Sequence, residues 1–98
     1  MEKDVIGSYL NSIKKFSLLS AEEEVELSKK IQSGDKNAVK QLVNSNLRLV
    51  VSLARKMQAS PSIIMDLIQE GNMGLMVAAE KFSSDFKTRF STYAYPWI

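Results

Sequence analysis

The 98-residue sequence contains no cysteine and no histidine. Without them, thiolate–zinc sites, thiol nucleophiles and histidine general bases each lose the residue they depend on, and no disulfide can hold the fold. No enzymatic activity, metal or cofactor is therefore expected. Glycine and proline are scarce, at 4 and 2 residues, which excludes collagenous and linker-rich chains. No apolar run approaches the roughly 20 residues of a membrane span. The opening Met1-Glu2-Lys3-Asp4 lacks the basic start and apolar stretch of a signal peptide. A cytoplasmic address with no membrane contact is the expectation. An excess of one charge is also missing: 13 Lys and Arg against 11 Asp and Glu leave +2, so the distribution of charge must decide what kind of partner the chain takes.

What is present is a 45% apolar and 24% charged chain. A domain of this length buries roughly 60–65% of the surface that its unfolded chain exposes. Apolar residues recur at helical steps nearly everywhere. Val5, Ile6, Tyr9, Leu10 and Ile13 form one stripe, which predicts a short helix ending at the loop Phe16-Ser17-Leu18-Leu19. Ser20-Ala21-Glu22-Glu23 reads as a capping box, with acids suited to the positive end of a helix running to about Ser33. Gly34 then closes that helix and Asp35 caps the next. The pattern predicts a third helix from about Lys36 to Met57, with Val39, Leu42, Val43, Val50, Leu53 and Met57 on its apolar face and Asn46 inside the stripe. Ser60 as cap and Pro61 at the first helical position start a fourth, which runs to about Phe82. Its core line is Ile64, Ile68, Gly71, Leu75, Ala78 and Phe82, and Gly71 and Gly74 allow another helix to approach closely. Residues 83 to 88 read as a loop, and a last helical segment begins near Arg89. The expected fold is all-α, a compact bundle of about four to five helices forming one domain over residues 1–98. Residues 1–34 supply the upstream helices and 35–98 the helices that carry the chemistry.

Six of the eight aromatic residues, Phe82, Phe86, Phe90, Tyr93, Tyr95 and Trp97, fall in the last 17 positions, interleaved with Lys87, Thr88, Arg89, Ser91 and Thr92. Unpaired bases offer faces on which rings stack, and basic and hydroxyl neighbours suit phosphates. The same spacing also suits core packing, and the pattern alone leaves both readings open, except for Phe82, which belongs to the core. Asp66, Gln69, Glu70 and Asn72 form a polar cluster on the fourth helix. Two carboxylates at i, i+4 repel, so this is either a solvated face or a docking surface for a basic partner. Asn46 is either a buried, internally satisfied amide or a base contact at a groove rim.

The stretches Asn46-Leu47-Arg48-Leu49-Val50-Val51, Asp66-Leu67-Ile68-Gln69-Glu70-Gly71-Asn72-Met73-Gly74-Leu75-Met76 and Arg89-Phe90-Ser91-Thr92-Tyr93-Ala94 closely resemble the bacterial primary-type sigma factors, the promoter-specificity subunits of RNA polymerase. The likeness extends upstream through Asp4 to Glu22 and covers the domain called sigma domain two with its preceding segment, as far as Ile98. It implies that Asp66, Gln69, Glu70 and Asn72 grip the clamp helices of the largest subunit of core RNA polymerase. It implies that Tyr93 and Phe90 help melt the minus-ten element of promoter DNA by stacking a flipped adenine of the nontemplate strand. It also implies that Trp97 is the remaining ring of the wedge beside the melted bases, while Lys87 and Arg89 are the basic neighbours expected, on the residues alone, to hold phosphates. Asn46, Leu18 and Glu22 match positions around the pocket for the last thymine of the element, and Tyr9 and Leu10 match the part facing the discriminator. The sequence departs from the pattern at Pro96, where a second wedge Trp is usual, at Phe86, where an Arg is common, and at Thr88, where a Tyr is common. Those departures support an alternative reading, in which the chain is a protein-interaction module that docks on polymerase or on an anti-sigma factor without melting DNA.

Overall fold

The computed structural model describes the backbone of residues 2–98 and the side chains from Val5 onward. The opening Met1-Glu2-Lys3-Asp4, read above against a leader, lies outside the residues whose side chains are described. Among the described residues helices are the only regular structure, with α1 Glu2–Ile13, α2 Ala21–Gln32, α3 Lys36–Asn44, α4 Leu47–Arg55, α5 Pro61–Lys81 and α6 Phe90–Ala94, and 3-10 turns at Ser84–Phe86 and Tyr95–Trp97. The all-α expectation holds. The number of helices rises because the expected third helix is two.

The local signals explain most boundaries. Ser20 Oγ accepts from the Glu23 amide at 3.1 Å while the Ser20 amide donates to Glu23 Oε1 at 2.8 Å, the reciprocal box that starts α2. Gly34 ends that helix with φ of 95°, a conformation in which a Cβ would be strained. Asp35 Oδ1 then accepts from the Asn37 and Ala38 amides at 2.9 and 3.3 Å. Pro61 opens α5, but Ser60 at the cap position makes no side-chain bond, so it serves through its extended backbone alone.

The break between α3 and α4 was not foreseen. Ser45 Oγ donates to the Gln41 carbonyl at 3.0 Å and Asn46 Nδ2 to the Leu42 carbonyl at 2.8 Å. Short polar side chains that take the last carbonyls of a helix compete with the next turn. The backbone leaves helical geometry at Asn46, with φ −119° and ψ 9°, and restarts at Leu47. Past Arg55 the chain turns at Gln58, whose φ is 55°. Met57, expected on the apolar stripe, therefore falls outside α4 and is exposed.

Helix α5 is the hub: α1, α3, α4, α6 and the turn Tyr95–Trp97 all pack on it. Its inward line Ile64, Ile68, Gly71, Leu75 and Ala78 is buried, as is Phe82 just beyond it, joined by Leu42, Val50, Val51 and Phe90 from the surrounding elements. Gly71 meets the helix expected there, whereas Gly74 faces the backbone of the final 3-10 turn. A Cβ on Gly71 would lie 2.6 Å from Val50 Cγ1, and one on Gly74 would overlap the Trp97 carbonyl. Gly71 admits α4, and Gly74 admits the folded-back end of the chain.

Candidate docking face and nucleic-acid interface

Because α5 spends one side on the core, its opposite side is free. Asp66, Gln69 and Glu70 are exposed there. At about 100° per residue they lie within one third of the circumference. The same side carries Ile63, Met73, Met76 and Val77, all exposed. Neither Asp66 nor Glu70 forms an ion pair among the described residues. The result is an acidic face with an apolar lining, of the kind that complements a basic, partly apolar surface.

Asn72 lies at the edge of that face, about 60° from Gln69. Six residues after Asp66, it sits about 120° around the helix. Its Nδ2 donates to Tyr9 Oη at 3.0 Å and its Oδ1 is buried. The pair ties α1 to α5, so both half-buried residues, expected in binding roles, also hold the fold together.

The aromatic segment divides into core and surface. Phe82 and Phe90 are fully buried, their rings edge to face with centroids 5.2 Å apart. Phe90, expected to stack on a base, has no free ring face, because its position at the start of α6 turns it toward α5. The exposed Phe86 ring lies over half-buried Tyr93 at 4.8 Å, and Tyr93 in turn rests on Phe82 at 5.9 Å. This Phe86–Tyr93 pair is the aromatic platform that the fold presents. Trp97 stands apart on the final turn, exposed, with Lys81 Nζ 5.8 Å from its ring centroid.

The two cations of the segment also part ways. Lys87 is exposed, occupies a left-handed backbone position with φ 56°, and has no side-chain partner among the described residues. Arg89 is bound internally. Its Nε and NH2 donate to the Glu24 carboxylate at 2.9 and 3.3 Å, and NH2 also donates to the Leu19 carbonyl at 2.9 Å. Hydrogen bonding to Glu24 holds the guanidinium even further above its usual range, so it stays charged. The cation expected to hold phosphate thus spends two of its donor nitrogens on Glu24 and Leu19 while its side chain stays half exposed. Glu24 is the residue the sequence reading missed: it is only 5% exposed and also accepts from the Phe90 amide, at 3.0 Å from Oε1. It looks like one more acid in the run Glu22-Glu23-Glu24. The signal was its spacing, since Glu24, Leu27, Ser28 and Ile31 form the buried face of α2.

The three residues expected around a thymine pocket lie on separate elements. Leu18, 70% exposed, lies on the α1–α2 loop, Glu22 is exposed on the first turn of α2, and the Asn46 amide is turned into the end of α3. A cleft of about 550 Å³ lies between that loop and α3, lined by Phe16, Lys40, Gln41 and Asn44 but by none of these three. A recess of about 260 Å³ beside the aromatic segment is lined by Val25, Lys87, Thr88 and Arg89, with Glu24 and Phe82 at its base. No cluster of three or more metal-ligating side chains converges among the described residues. Among the described residues no helix is long and apolar enough to cross a membrane.

Two family models match the chain: sigma-70 factor, region 1.2, over residues 4–37 and sigma-70 region 2 over residues 42–98. The RNA polymerase sigma factor SigA of a Bacillus species is 50% identical over 95 residues, 97% of this chain. SigA of Clostridium acetobutylicum is 50% identical over 97 residues, and that of Listeria monocytogenes 48% identical over 95. The chain spans 25% of the length of each of these relatives.

Proposed function

This chain belongs to the sigma-70 family, and from that premise we propose that it docks on core RNA polymerase through the outer side of α5 and binds the nontemplate strand of the promoter minus-ten element through its aromatic segment. Asp66, Gln69 and Glu70 meet the clamp helices of the largest subunit, with Met73 and Met76 covering apolar ground between them. Tyr93, Phe86 and Trp97 stack unpaired bases, and Lys87 holds phosphate. A base taken out of the duplex stack costs a few kcal/mol, which ring contacts return. On this reading the chain works in the bacterial cytoplasm, where transcription proceeds. The observation that carries it is the Phe86–Tyr93 platform, exposed beside the unpaired Lys87.

A fluorescently labelled single-stranded minus-ten oligonucleotide, titrated with the chain in the presence and absence of core polymerase, tests it. Binding that core strengthens, and that a scrambled oligonucleotide does not share, is expected. Co-purification with core but no preference for the minus-ten sequence would leave the docking role alone. That second role, a polymerase- or anti-sigma-binding module without melting competence, is favoured by one observation: the Arg89 guanidinium, a cation of the aromatic segment, is held by Glu24 and the Leu19 carbonyl.

A further inference from the structure

We propose that Glu24 and Arg89 form a latch through which α2 sets the position of the aromatic platform, and that Arg89 acts through Glu24, not through phosphate. The inference rests on the DNA-binding reading above for its consequence but on geometry for its existence. Helix α6 has only five residues, Phe90–Ala94, too short to hold itself together in isolation. Its cap position, Arg89, makes no side-chain bond to the helix's own amides. The acceptor comes instead from another helix. Glu24 Oε1 receives the Phe90 amide at 3.0 Å and Arg89 Nε at 2.9 Å, while Oε2 receives Arg89 NH2 at 3.3 Å.

One nearly buried carboxylate thus performs the N-terminal service that α6 lacks, and the negative charge sits at the positive end of the helix. The second donor contact of Arg89, to the Leu19 carbonyl at 2.9 Å, draws in the loop before α2. Four residues into α6, Tyr93 carries the ring that rests on Phe82 and Phe86. If α6 loses its start, Tyr93 loses its place. A carboxylate this buried would be costly without partners, and the guanidinium and amide supply them. Glu24 is accordingly a positioning residue, since it touches neither base nor phosphate in this assignment.

The test uses the 98-residue chain with Glu24→Gln, Arg89→Gln, the double variant and Lys87→Gln, and two readouts. In the first, the exchange rate of the Phe90 amide proton is measured without DNA. Glu24→Gln should accelerate it while the α5 core amides keep their protection, and unchanged Phe90 exchange would overturn the latch whatever the DNA data show. In the second, affinity for the labelled single-stranded minus-ten oligonucleotide is followed against salt. Glu24→Gln and Arg89→Gln should each weaken binding roughly tenfold, the loss of one charge-assisted partner, and the double variant should be no worse than the poorer single. The salt slope should fall by about 0.7 for Lys87→Gln, the change for one phosphate contact on a single strand, and stay unchanged for Arg89→Gln. A slope that falls for Arg89→Gln would identify it as a phosphate ligand and overturn its assignment here. Failure of the wild-type chain to bind the oligonucleotide would sink the proposed function, while the amide-exchange readout would still decide the latch.

Discussion

The outer face of α5 and the aromatic segment after it are adjacent in sequence but built in opposite ways. The first is carried by one long helix whose other side is occupied by the core, so its exposed residues are those a helical wheel dictates. The second is assembled from α2, a 3-10 turn, α6 and the end of α5, and the same residue types serve as core, latch and surface within a few positions of one another. Phe82 and Phe90 are buried, while Phe86 and Trp97 are exposed. A surface on a single helix inherits its layout from periodicity. A surface stitched from short elements inherits it from their contacts.

The largest expected effect that separates the two regions is on stability. Phe82→Ala should cost about 3–5 kcal/mol in urea unfolding, because the ring is fully buried beneath three other aromatics. Met73→Ala on the outer face of α5 should stay within about 0.5 kcal/mol. Comparable losses at both sites would erase the distinction. Gly74→Ala falls between them, at about 1–3 kcal/mol, since the added methyl must displace the Trp97 carbonyl. A change in Trp97 fluorescence should accompany it.

For DNA, Tyr93→Ala is expected to cost about 1–3 kcal/mol of single-strand binding. Phe86→Ala sharpens the point. As a stacking ring Phe86 should cost a similar amount on removal, whereas tighter binding would show that Phe86 chiefly covers Tyr93. Glu70→Lys should weaken binding to the isolated clamp helices roughly tenfold at low salt by reversing a charge that faces a basic partner, with the urea midpoint unmoved. Calorimetry showing equal affinity for wild type and variant would remove α5 from the interface.

The smallest effect concerns the α2 cap. Ser20→Ala should cost about 1 kcal/mol. The Ser20 backbone N–H, followed by its hydroxyl, holds the Glu23 carboxyl below the usual carboxylate range. A lowered folded value means that this contribution is present above the ordinary range and is lost as pH falls through the folded value. In Ser20→Ala the backbone donor persists, so an NMR titration should find Glu23 still lowered, but by less.

How much could be read in advance follows the same division. The α5 core line from Ile64 to Phe82, both close-packing glycines and the Ser20–Glu23 box were legible because each depends on neighbours within about four residues. The Ser45–Asn46 break was less so, because Asn46 fitted an apolar stripe and only its hydrogen bond to Leu42 shows that the helix stops there. Asn72 was grouped with Asp66 by proximity in sequence, although the helical turn carries it to Tyr9.

Arg89 and Glu24 mark the limit. A basic residue among rings reads as a phosphate ligand, and an acid in a helix's first turn reads as a partner for the dipole. That the two meet across 65 positions is invisible to any local pattern. The sequence by itself determined an all-helical chain, the inward line of α5 and the acids left on its outer side, since side-chain spacing and capping act over single turns. Only the tertiary structure decided which rings are core and which are surface, and which cation is free. Those outcomes depend on where α2 and α6 come to rest against α5, and packing between distant segments sets that position.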